Sequence, residues 1–111
     1  MNRELFKTVF EELAKDIHEN AKSKGWWDSE RSEGEVIALC HAELSECLEG
    51  MREGWKQDKH LPGLSNPTVE LADCIIRIMD FAAKQDLLLA DAIIEKHEYN
   101  KTRPFKHGKI F

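Results

Sequence analysis

The segment SEGEVIALCHAELSECLEGMRE, residues 32–53, decides the fold, because it is helical in period and carries a carboxylate among its apolar positions. Ser32 followed by Glu35 has the form of a capping box, in which each side chain satisfies a free amide at a helix start. A helix is therefore expected from about Glu33 to about Glu53. With Val36 at zero, Val36, Leu39, Cys40, Leu44, Cys47, Leu48 and Met51 span an arc from about −60° to about +120°. Glu43 falls inside that arc at about −20°, and Glu46 on its border at about −80°. A carboxylate turned into a core is costly to desolvate unless it is paired or holds a metal. Glu43 is thus the most informative residue of the chain.

Upstream, Leu5, Phe6, Val9, Phe10, Leu13 and Ile17 form one amphipathic stripe, with Asn2 as its expected cap and Gly25 as its stop. Downstream, Gly54 to Asn66 reads as a connecting loop, and Asn66-Pro67 as a helix start, with Asn as cap and Pro at the first position. That helix is expected to run to about Lys84. Asp86 is expected to cap a fourth helix carrying Leu88, Leu89, Ala92 and Ile93 and ending before Pro104. No β-type alternation or internal repeat is present. The expectation is an all-α single domain over residues 1–111, a compact bundle of about four helices completed by homo-oligomerisation.

The composition sets further bounds. A chain of 111 residues, 41% hydrophobic and 33% charged, has apolar side chains enough for one modest core. No run approaches the roughly 18 apolar residues of a membrane span. Met1-Asn2-Arg3-Glu4 does not open an apolar export signal, and Cys40, Cys47 and Cys74 read as reduced thiols in a core, so a cytoplasmic protein is expected. A net charge of −5 argues against a nucleic-acid partner. The charge is uneven: residues 1–95 hold 11 Lys and Arg against 20 Asp and Glu, whereas residues 96–111 hold five against one. An acidic body with a basic tail suits a metal-bound polyanionic small molecule.

On the third helix, with Ala72 at zero, the apolar arc runs from about −120° to about +60°. Glu70, Asp73 and Arg77 lie beyond it, which by periodicity alone predicts an exposed, locally ion-paired face. Glu43-x-x-Glu46 and Glu70-x-x-Asp73 each put two carboxylates on neighbouring turns. If the two helices pack antiparallel, all of these groups converge. Their repulsion calls for a hard divalent cation, Mg²⁺ with Mn²⁺ as a substitute. Cys40, Cys47 and His41 lack the spacing of a zinc site.

Glu43-x-x-Glu46, a loop, then Glu70-x-x-Asp73 resembles the metal-binding pattern of the MazG-like all-α nucleoside triphosphate pyrophosphohydrolases. Lys96-x-x-x-Asn100-x-x-Arg103-Pro104 resembles that family's phosphate-contacting end of the last helix, and Gly25-Trp26-Trp27 and Trp55 also resemble family positions. The matches span residues 25–107. Ala42 departs from the family's usual Glu, and Arg77 stands where some relatives carry an aromatic residue.

The resemblance implies Mg²⁺-dependent hydrolysis of a (d)NTP between the α and β phosphates, giving monophosphate and pyrophosphate. It implies Glu43, Glu46, Glu70 and Asp73 as metal ligands, with Glu46 also orienting the attacking water. It implies Lys96, Asn100 and Arg103 as phosphate contacts, four and three residues apart on one helix face. Trp27, Trp55 and His41 are candidates for the base, and a homodimer or dimer of dimers is expected. The competing expectation is a non-catalytic helical dimerisation module whose acidic faces serve protein contacts or passive cation binding.

Overall fold

The computed structural model describes residues 1–111 as four α-helices without a named strand: α1 (Arg3–Ser23), α2 (Glu33–Arg52), α3 (Asn66–Lys84) and α4 (Leu89–Lys101). A short turn, Phe105–Gly108, with Lys106 and His107 at positive φ, follows. The all-helical bundle expected from periodicity is what forms. Asn2 caps α1 by accepting from the Leu5 amide at 3.0 Å, and Ser32 caps α2 by accepting from the Glu35 amide at 3.0 Å. The reciprocal half of the capping box is missing, because the Glu35 carboxylate turns to Arg31 Nε at 3.3 Å.

Two expected caps are corrected. Ser65, not Asn66, caps α3, and Asn66 and Pro67 lie inside the helix. The Asn66 side chain reaches instead to Asp58 Oδ1 and Glu70 Oε1, at 3.2 and 3.3 Å. Asp86 does not cap α4; it stands at φ 53°, beyond the end of α3. The Leu87 amide then reaches back to the Ala82 carbonyl at 2.9 Å, which closes α3 in the manner of a Schellman motif. α1 and α2 close the same way, through Trp26 N–H to Ala21 and Trp55 N–H to Gly50, with Gly25 and Gly54 at positive φ.

α3 is the central helix, packed on α2 and on α1, while α4 packs on α1. α2 and α3 run antiparallel: the Cys47 thiol donates to the Pro67 carbonyl at 3.4 Å, and Glu43 meets Arg77 farther along. Gly50 permits this approach, because a Cβ there would lie 2.4 Å from Asn66 Oδ1. The interior is built of small and medium side chains, including Ala14, Val36, Cys40, Cys47, Cys74, Ala82 and Ala90, and all three cysteines are free. α4 lies antiparallel to the N-terminal half of α1, held by Lys7–Asp91 and Arg3–Glu98 at 3.3 and 3.4 Å.

A buried acid joins α1, α3 and the α1–α2 turn. Asp80 accepts from His18 Nδ1 at 2.7 Å and from Trp27 Nε1 at 3.0 and 3.1 Å. Asp80→Ala should lower unfolding free energy by about 2–4 kcal/mol, since it strands two donors in a half-buried site. Trp27→Phe keeps most of the aromatic surface and should cost about 1–2 kcal/mol. Urea titrations followed by circular dichroism check both; an unchanged midpoint in Asp80→Ala would remove the residue's structural role.

Candidate metal centre

Antiparallel packing brings the acidic pairs of α2 and α3 face to face. Glu43 is buried, 8% exposed, as its place in the apolar arc of α2 predicts. Glu46 on the next turn is exposed, and Glu70 of α3 is half-buried. One carboxylate oxygen of each lies within 4.8 Å of the others. Asp73 stands outside that triad, yet it lines a cleft together with Glu43. The expectation that Glu70, Asp73 and Arg77 form an exposed face is corrected. All three are half-buried, because α3 is covered on this side by α2 as well as by α1 on another.

Hydrogen bonding divides the triad into satisfied and unsatisfied atoms. Glu43 Oε1 accepts from Arg77 Nε at 2.9 Å. Glu70 Oε1 accepts from Asn66 Nδ2, whereas Glu70 Oε2 is buried with no hydrogen-bond partner. Burial first, then the neighbouring Glu43 and Glu46, push the Glu70 carboxyl up to about 7, against the lowering effect of Asn66. Burial and the charge of Glu43 likewise raise Asp73, with Arg77 opposing. A buried carboxylate oxygen without a donor, facing two further carboxylates, fits a divalent cation of the Mg²⁺ or Mn²⁺ type, which takes oxygen ligands. Glu43, Glu46 and Glu70 are the residues that would hold it.

The cleft beside the triad has a volume of about 420 Å³. Asp16 and Asn20 of α1, Trp26 and Arg31 of the turn, and Glu43, Asp73 and Arg77 contribute to its walls. The Trp26 ring has Arg31 and Arg77 guanidinium carbons each 5.9 Å from its centroid. Trp26, rather than Trp27, is therefore the aromatic wall of the cleft; Trp27 is engaged by Asp80. Trp55 is exposed on the turn after α2. His41 is exposed too, on an outward stripe of α2 with Ile37, Leu44 and Leu48. Neither lines this cleft.

Lys96, Asn100 and Arg103 do gather, but elsewhere. Lys96 Nζ and Arg103 Cζ stand 4.6 and 5.8 Å from the Tyr99 ring centroid, and Asn100 Oδ1 is buried without a partner. α4 carries Lys96 and Asn100 along the N-terminal half of α1, while Arg103 lies beyond the helix end at Lys101 and not on one helix face with them; the cleft uses Asp16 and Asn20 farther along α1. Within one chain they do not join the carboxylates. Asp16, Asn20, Arg31, Asp58 and Asn66 were not singled out as site residues from sequence. Only Asn66 had a local signal, four residues ahead of Glu70 on one helix face.

No protein-family model matches the chain, and no curated protein and no solved structure matches it.

The raised Glu70 group makes stability depend on pH in a defined direction. The folded state holds a proton that the unfolded chain releases at its ordinary value, so stability is fully present below about 4.5 and is lost as pH rises through about 7. Metal-free protein should therefore lose stability between those values, and Glu70→Gln should flatten that part of the profile. Denaturant titrations across the range check this; a parent profile that rises through it contradicts the assignment. Millimolar Mg²⁺ should raise Tm most at the alkaline end, where the carboxylates are ionised.

Proposed function

We propose that this protein is a divalent-cation-dependent nucleoside triphosphate pyrophosphohydrolase that acts as a homodimer or dimer of dimers. One observation carries the reading: Glu43, Glu46 and Glu70 present oxygens within 4.8 Å of one another, with Glu70 Oε2 buried and unpartnered. The MazG-like spacing of these residues with Asp73 supports it, as does the neighbouring cleft with an aromatic wall.

Each residue has a distinct task in this reading. Glu43 and Glu70, held by Arg77 and Asn66, give the rigid part of the cation site, and Asp73 lines the cleft beside it. When bound, a Mg²⁺ ion supplies neutralisation of phosphate charge and a water of lowered pKa. Glu46, the exposed member, completes the triad and also orients the attacking water and takes its proton. Trp26 offers a face on which a nucleobase stacks. Arg31, which lines the cleft, has its guanidinium carbon 5.1 Å from the Trp27 ring centroid.

Surface area supports the assembly in this reading. The chain exposes 8583 Å², against roughly 6,300 Å² for a globular monomer of this mass. Its radius of gyration is 16.3 Å, against roughly 13 Å for a globular chain of this length. Only 14 of 111 residues are buried, while Ile37, Leu44 and Leu48 of α2 and Leu71, Ile75 and Ile78 of α3 remain exposed. These apolar stripes suit a second copy of the same chain, and the excess area is of the size that a stable interface buries. In such an assembly, α4 of a second copy and the turn after it bring Lys96, Asn100 and Arg103 to the phosphates that its own chain's geometry leaves out of reach.

Incubation with a mixed nucleotide pool and Mg²⁺ should release monophosphate and intact pyrophosphate. Orthophosphate with diphosphate would mark a γ-phosphatase and overturn the proposal. Glu43→Gln should lower turnover by about two orders of magnitude or more with the helical spectrum retained. Arg103→Ala should reduce kcat/KM by about 2–4 kcal/mol, comparable with the loss of one transition-state donor. Sedimentation at micromolar concentration should give a multiple of 12.8 kDa. A stable single chain that hydrolyses nucleotide would exclude the shared site.

A further inference from the structure

The carboxylate cluster separates two cavities. On one side lies the Trp26 cleft, with Glu43 and Asp73 in its wall. On the other, beneath the α2–α3 connection, lies a pocket of about 370 Å³ that has Glu70 in its wall and no apolar side chain. The cluster is thus a saddle between an aromatic cleft and a polar pocket.

The polar pocket has unpaired cations. Lys56, Lys59 and His60 line it, and none of the chain's ion pairs includes them. The cationic groups of the aromatic cleft, in contrast, are engaged: Arg31 with Glu35 and Arg77 with Glu43. Glu53 at the rim and the buried Asp58 are the other acids of the pocket besides Glu70. Asp58 is committed to the loop itself, accepting from the His60 and Leu61 amides at 3.0 Å and from Asn66 at 3.2 Å. Burial opposes its ionisation, yet these donors together hold Asp58 below its ordinary value. Backbone hydrogen bonds from Asp58 to Leu64 and from Asn66 to Lys56, at 2.9 and 2.8 Å, close the loop on both sides. The lysines therefore extend from a backbone that is already set.

We infer that this pocket receives the β- and γ-phosphates of a nucleoside triphosphate laid across the saddle, with Lys56 and Lys59 neutralising them and the nucleoside lying toward Trp26. The inference rests on the pyrophosphohydrolase reading and gives its substrate a direction. The α–β linkage then lies over the carboxylates. The water oxygen bonds to the α-phosphorus and passes its proton to Glu46. The bond from that phosphorus to the bridging oxygen breaks, and its electron pair leaves with pyrophosphate on the loop side. His60 stands at the same wall.

Calorimetric titration of the full chain with pyrophosphate in Mg²⁺ tests this directly. The double variant Lys56→Ala/Lys59→Ala should weaken pyrophosphate binding by roughly tenfold to a hundredfold, the effect of losing a charge-assisted contact. Its affinity for a nucleoside monophosphate and for Mn²⁺ should stay within about twofold. Lys56→Arg/Lys59→Arg should restore pyrophosphate binding. Both lysines are exposed, so the fold is not at stake. Unchanged pyrophosphate affinity in the alanine variant overturns the inference, as does parent protein that binds none. Loss confined to Arg103→Ala assigns the contact to α4 and overturns it equally. Pyrophosphate binding that depends on the lysines, without nucleotide hydrolysis, would sustain the anion pocket and remove the enzymatic reading instead.

Discussion

Three carboxylates held within a few ångströms at the α2–α3 contact are the constraint around which the rest of the chain is arranged. Left alone they would drive the two helices apart, and each neighbour supplies part of the remedy. Arg77 neutralises Glu43, Asn66 donates to Glu70, and Glu70 keeps a proton into the neutral range. Those measures still leave one buried oxygen without a donor. A structure that only needed to join two helices would place apolar side chains here, since a buried ionic cluster is poor value for stability. The arrangement is the kind expected where binding, and not folding, determines which residues occupy a contact.

The same contact accounts for the make-up of the interior. α2 and α3 approach closely because Gly50, Cys40, Cys47 and Cys74 are small, which leaves the larger apolar side chains turned outward. Leucines and isoleucines on α1, α2 and α3 remain open to solvent in a single chain. The apolar surface is therefore divided: a narrow seam inside the chain supports the acidic cluster, and broad stripes lie outside it. The outer apolar stripes and the acidic cluster share two helices, so a substitution on the outer face of α2 acts on an element that also carries Glu43 and Glu46.

Much of this was legible from periodicity. The helix boundaries lay close to where capping and glycine signals put them, and the angle of Glu43 within an apolar arc showed it would be buried. The parts that were not legible have common causes. Asn66 and Asp86 are both good cap residues, but a short polar side chain can serve a helix end, a left-handed turn or a distant partner, and local sequence does not choose among them. Asn66 answers to Asp58 and Glu70, and Asp86 to the end of α3. α3 looked one-sided because a wheel shows one apolar arc, whereas the helix is sandwiched and buries polar groups at its second contact. The spacing of Lys96, Asn100 and Arg103 was readable; the course of α4 was not, since it depends on packing against α1, a segment distant in sequence.

Gly50 and Asn66 also bear on how the chain could change by descent. The space a side chain would need at position 50 is already filled by the Asn66 amide oxygen, and Pro67 stands just behind, 3.2 Å from the same point. Replacing the glycine alone displaces the group that donates to Glu70, and replacing the asparagine alone leaves a gap beside a carboxylate. Neither first step is neutral. The two positions are expected to be inherited as a unit, and a lineage that abandoned the carboxylate cluster would lose Asn66 first, after which a side chain at position 50 meets only the Pro67 ring.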